Sequence, residues 1–170
     1  MESRAKLFGH PLHQVLIVFP LGLLATAAVF DILYLVTGHG RWAGVSYWMI
    51  ISGIVGGILA APFGLIDWLA IPAGTRAKRI GLYHGAGNVL VLILFAASWL
   101  LRGDALREPG IAALAFSFFG IGLAMLTGWL GGELVARLAI GVDDGAHWDA
   151  PSSISRRPAR ERVSGATQAK

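Results

Sequence analysis

The chain of 170 residues is 55% hydrophobic and 14% charged, with a mean hydropathy of +0.65, a balance too apolar for a soluble domain of this size. Its formal charge of +4 is no argument for nucleic acid, because Lys and Arg fall in short loops and the tail, where a membrane protein carries its topogenic charges. The lack of cysteine excludes disulfides, thiolate metal sites, cysteine-ligated iron–sulfur clusters and cysteine nucleophiles.

Arg4 and Lys6 precede the first apolar run, and Ala25-Thr26-Ala27 imitates a signal-peptidase site. The run nevertheless continues to Val36 and Pro20 interrupts the would-be signal core, so the segment reads as an uncleaved helix. About 20 apolar residues cross a hydrocarbon core of roughly 30 Å. Four stretches qualify: residues 14–37, 47–71, 80–101 and 111–134. Pro11 suits the first turn of helix one, and Gly38-His39-Gly40 ends that helix. Pro20 frees the carbonyl of Leu16 and should bend it. Pro72 with Gly74 ends helix two, Arg102-Gly103-Asp104 ends helix three, and Pro109-Gly110 opens helix four. Short loops make the expected fold an all-α membrane protein, an up-down-up-down bundle of four transmembrane helices.

Of the 14 Lys and Arg residues, only Arg41, Arg102 and Arg107 fall on the side away from the termini. That bias predicts cytoplasmic termini and, for a bacterial chain, an inner-membrane location. Residues 1–142 form the transmembrane domain, and 143–170 read as a disordered basic cytoplasmic tail. Small residues predict the helix contacts. Helix four carries Gly120, Ala124, Gly128 and Gly132, and helix two carries Gly53 and Gly57, so these two helices are expected to approach closely. Asp67 lies on the same face as Gly53, Gly56, Ala60 and Gly64 and should face protein.

An ionisable group inside hydrocarbon costs roughly 2.5–3.5 kcal/mol at mid-helix and seldom persists without a use. Helix direction places His13 at the start of helix one, His84 one turn into helix three with Asn88 on the same face, Asp67 one turn before the end of helix two, and Glu133 at the end of helix four. With His10, these form a candidate site in the cytoplasmic leaflet. Each half of the chain begins a helix with His and ends the next with an acid, a weak pseudo-repeat whose twofold axis would bring two His–carboxylate pairs together. Asp31 stands apart, 18 residues or about 27 Å beyond His13, and is expected to reach toward Arg41 or Arg102.

Four readings stay open. His10, His13, Asp67, His84 and Glu133 offer nitrogen and oxygen ligands to a divalent transition metal. His13 and His84, with Asn88 nearby, offer axial ligands to a b-type haem. Imidazole and acid can instead exchange protons as a small solute is carried through a transporter or channel. The fourth is a structural network without chemistry. No Walker loop, GxSxG elbow or dinucleotide fingerprint is present, so nothing argues for a soluble-type enzyme.

The opening Gly9-His10-Pro11-Leu12-His13, the phrase Gly64-Leu65-Ile66-Asp67-Trp68, Tyr83-His84-Gly85-Ala86-Gly87-Asn88 and Gly128-Trp129-Leu130-Gly131-Gly132-Glu133-Leu134-Val135 resemble the bacterial membrane family called domain of unknown function 2231. The similarity covers about residues 8–142 and implies the four-helix fold. Similar domains stand beside Rieske-type iron–sulfur modules, which implies a redox protein or another membrane subunit as partner, with a homo-oligomer as a further expectation. Family members close with an aromatic residue and a His, whereas this chain has Ala136-Arg137-Leu138-Ala139-Ile140-Gly141-Val142.

Overall fold

A computed structural model describes residues 1–103, 108–155 and 157–161. The chain opens with a two-stranded antiparallel hairpin, β1 (Lys6–Leu7) and β2 (His10–Pro11), turned by Phe8 and Gly9 at φ of 50° and 83°. The helices follow as α1 (Leu12–Leu16), α2 (Val18–Thr37), α3 (Gly40–Ala70), α4 (Arg76–Arg102) and α5 (Ile111–Ala136), before a single 3-10 turn at Ser153–Ser155. Leu12–Thr37, Gly40–Ala70, Arg76–Arg102 and Ile111–Ala136 are each long and apolar enough to cross a membrane. The protein is a multi-pass four-helix membrane bundle.

The break between α1 and α2 falls at Ile17, one turn before Pro20, whose ring has no N–H to give Leu16 and crowds that carbonyl. Gly38 ends α2 with φ of 68° and donates its N–H to Tyr34, a left-handed stop that glycine adopts without Cβ strain. Helix α3 starts at Gly40, seven residues before the expected boundary at 47, because a helix once turned needs no apolar residues to continue past the hydrocarbon. Thr75 caps α4 by accepting from the Lys78 N–H.

Helices α2 and α3 form one hairpin, α4 and α5 a second, and α3 joins them side by side. Leu24, Ala27, Ile50, Ile54, Val91 and Phe95 form the apolar core between the hairpins. The outer face is a continuous apolar surface that includes Phe19, Leu35, Trp48, Leu59, Ile93, Phe119 and Trp129, too large an apolar area to leave in water. It is the lipid-facing side.

The expected glycine contact between helices two and four does not form. Gly53 receives Leu24 from α2, Gly57 receives Leu92 from α4, and Gly120 receives Phe95 from α4, while a Cβ at Gly128 or Gly132 would meet nothing within 4 Å. Short connections have made chain neighbours into space neighbours, so the glycines seat side chains from the adjacent helix.

The amino terminus lies against the segment that follows the last helix. The Met1 amino group donates to Ala139 O at 2.9 Å, and Gly141 N donates back to Met1 O. Lys6 pairs with both Glu2 and Asp143, and Asp144 N donates to Glu2. The segment expected to lack regular structure therefore holds contacts to the N-terminal hairpin, including Ser153 beside His10. Hydrogen bonding to Lys6 and from the Asp144 N–H holds the Glu2 carboxyl below its ordinary value. Partial burial lowers the Lys6 ammonium, but hydrogen bonds and charge from Asp143 and Glu2 outweigh it and leave its pKa raised. Glu2 thus stabilises this docking above its ordinary value, an effect lost as pH falls through its depressed folded value. Lys6 stabilises it below its ordinary value, and the effect is lost as pH rises through its raised folded value. Protection of the amides at residues 139–144, taken as exchange relative to the intrinsic rate at each pH, should be greatest between these limits and fall beyond either.

Candidate functional site

His13 and His84 come from different halves of the chain and meet edge to face, with ring centroids 6.4 Å apart and planes at 89°. Their settings match. His13 Nδ1 lies 3.1 Å from Ala60 O, and His84 Nδ1 lies 2.8 Å from Thr127 O. Each ring is seated against a glycine four residues beyond that carbonyl, Gly64 for His13 and Gly131 for His84. A pseudo-twofold relation between the hairpins thus extends to the carbonyl and the glycine that hold each imidazole.

A carbonyl oxygen only accepts, so each Nδ1 carries the proton and donates. In the neutral ring that leaves Nε2 as the lone-pair atom. Asn88, one turn after His84, gives its amide to His84 O at 2.8 Å and accepts from Thr127 Oγ1 at 3.1 Å. Its nitrogen stands 3.3 and 3.4 Å from the two ring nitrogens of His84. Near-equal distances put it across the ring and off the in-plane line of the Nε2 lone pair.

The glycine seats are tight. A Cβ on Gly64 would lie 2.7 Å from His13 Cε1, and one on Gly131 would lie 3.0 Å from His84 Cε1. Gly64→Ala should therefore destabilise the bundle by about 1–3 kcal/mol through overpacking, and Gly131→Ala by less. Gly85→Ala, where nothing lies within 4 Å, should gain up to about 1 kcal/mol from helix propensity. Denaturant unfolding of the three variants in detergent checks that order.

The carboxylates have other partners. Asp67 accepts from Ser3 Oγ at 2.9 and 2.7 Å and from Arg4 N at 2.7 Å. Glu133 pairs with Arg76 at 2.6 Å. His10 sits in β2, exposed, beside Ser153. Among the described residues, no three His, Cys, Asp or Glu stand close enough to hold a metal ion. The five-residue ligand set of His10, His13, Asp67, His84 and Glu133 is therefore not assembled. Asp67 and Glu133 lie further toward the helix ends than the glycines that seat the rings. There Ser3 and Arg4, ahead of the hairpin, and Arg76 at the start of α4 supply donors. What the structure brings together is His13, His84, Asn88 and Thr127.

A second polar cluster lies at the opposite end. Asp31 Oδ2 accepts from Arg102 Nη2 and from Ser117 Oγ, both at 2.7 Å. Ser98 Oγ donates to Ala113 O at 2.7 Å. Asp31 and Arg102 are fully enclosed, with side chains 0% exposed. The expected approach of Asp31 to Arg102 is present, but as a buried pair and not at an outer interface. Sequence reading missed Ser98 and Ser117, since serine in an apolar run barely changes hydropathy; the one signal was that both fall on inward faces of their helices.

Four apolar spans, a lipid-facing exterior and ionisable groups confined to the interior and the ends define an integral membrane protein. The family model described as "Predicted membrane protein (DUF2231)" matches residues 9–144, and the chain belongs to that family. No curated protein and no solved structure matches it.

Proposed function

We propose that His13 and His84 hold a transition-metal centre through their two Nε2 atoms, either the iron of a b-type haem or a bare d-block cation, and that the protein passes electrons to or from a membrane redox partner. One observation carries this reading: both rings donate Nδ1–H to a backbone carbonyl of the neighbouring helix, the outer-shell arrangement that fixes tautomer and orientation in metal-bound histidines. The donor set fits. Two neutral imidazoles with no carboxylate beside them suit Fe, Cu or Zn and disfavour the oxygen-seeking Mg and Ca. Such a centre would supply one-electron chemistry if it is iron or copper. The chain's own contribution is to hold both rings at fixed angles over Gly64 and Gly131 and to keep Asp67 and Glu133 occupied with Ser3 and Arg76.

The reading includes a bacterial inner-membrane location with both termini cytoplasmic. Arg102 is consumed in the buried pair with Asp31, which lowers the loop charge on the far side further and strengthens the positive-inside bias. Detergent-purified protein should show a Soret band with stoichiometric iron, or stoichiometric copper or zinc by elemental analysis. Folded protein that carries no metal, and takes up neither haemin nor these cations on reconstitution, would overturn the proposal.

A further inference from the structure

The cluster around Asp31 is a layer with a polar residue from each of α2, α3, α4 and α5. The register fixed by Leu24 against Gly53 and by His13 against Gly64 puts Ser46 of α3 opposite Asp31 of α2. Ser98 and Arg102 come from α4 and Ser117 from α5. Asp31, Ser46, Ser98 and Ser117 are 0% exposed and Arg102 is 1% exposed. Immediately inside the bundle lie Ala27, Ile50 and Phe95 of the apolar core, which separate this layer from the histidines.

The hydrogen bonding of the layer is incomplete in a particular way. Among the described residues, Asp31 Oδ1 has no donor, Arg102 Nε and Nη1 have no acceptor, and Ser46 Oγ has no partner, though each atom is buried. Such groups in an apolar surrounding each cost roughly 1–3 kcal/mol, more when charged. The missing partner must donate to a carboxylate oxygen and accept from a guanidinium, in a layer that also holds the Ser46 hydroxyl. An anion would satisfy Arg102 but would face the Asp31 carboxylate, and a cation would meet the reverse conflict. A small neutral molecule that both donates and accepts fits all three groups. Three serines in the layer keep its side chains short, where the neighbouring core uses Ile and Phe.

We propose that this layer is an occluded binding site for water, held by Asp31 Oδ1, the free edge of Arg102 and Ser46. Bound water of this kind typically makes about three hydrogen bonds to groups otherwise unpaired. The site is independent of the metal proposal.

Nuclear magnetic resonance of the full-length protein in detergent, labelled with ¹⁵N at arginine side chains, tests this directly. The Arg102 Nε–H signal, assigned by its loss in Arg102→Lys, should show a direct cross-peak to water with the sign of a molecule tumbling with the protein. That cross-peak should disappear in Ser46→Leu, which fills the space, and weaken in Ser46→Ala. A wild-type Arg102 Nε–H with no water cross-peak would overturn the proposal. So would a cross-peak that survives unchanged in folded Ser46→Leu.

Discussion

Arg102→Met alone should destabilise the bundle by about 3–5 kcal/mol, because it strands the Asp31 carboxylate in a buried layer with Ser117 as its remaining donor. Asp31→Leu alone should cost a similar amount by stranding the guanidinium, which among the described residues then keeps only its 3.4 Å contact to Ser98. The double variant Asp31→Leu with Arg102→Met should recover most of that loss, since an apolar pair of similar volume often matches a buried ion pair in stability. Denaturant unfolding in mixed micelles, run as a double-mutant cycle, measures the coupling. Additive losses would mean that the two charges do not depend on each other. The pair links the first hairpin to the second at the end opposite the histidines, so its loss should loosen contact between the halves more than contact within either.

His13→Ala and His84→Ala should each abolish stoichiometric metal or haem binding, because a site of two nitrogen donors has none to spare. Asn88→Leu should weaken binding about 10–100-fold, as outer-shell changes do at metal-bound histidines, while leaving the ligands in place. His10→Ala and Glu133→Gln should leave binding unchanged, since His10 is exposed in β2 and Glu133 is held by Arg76. Titration of the purified variants with haemin and with cupric ion, followed by absorption, orders them. Equal loss in all five would indicate a general folding defect and contradict the assignment.

The four spans were legible because each is a long apolar run bounded by Gly, Pro or Arg, and bilayer thickness leaves little freedom in their length. The bend near Pro20 was legible from its missing N–H. The meeting of His13 and His84 followed from helix direction, which sets depth. The partners of Asp67 and Glu133 did not follow. They come from Ser3, the backbone of Arg4 and the Arg76 side chain, in the segment ahead of the hairpin and at a helix start whose positions no periodicity encodes. Ser46 and Ser117 were silent because hydropathy scores a serine as nearly neutral, and only the three-dimensional register reveals that they share a layer with Asp31. The contacts of residues 139–144 with Met1, Glu2 and Lys6 were hidden by composition, which reads a polar stretch as solvated whether or not a partner is folded against it.

The proposed centre requires that two histidines from opposite halves share one tautomer, each with Nδ1 donating to a carbonyl of the adjacent helix. Side-chain ¹⁵N spectra of histidine-labelled protein, with His13→Ala and His84→Ala for assignment, test it most directly. Both rings should carry their proton on Nδ1, slowly exchanging and shifted by a hydrogen bond, with Nε2 unprotonated in metal-free protein and shifted on loading. A proton on Nε2 of either ring, or free exchange between the two nitrogens, would contradict it.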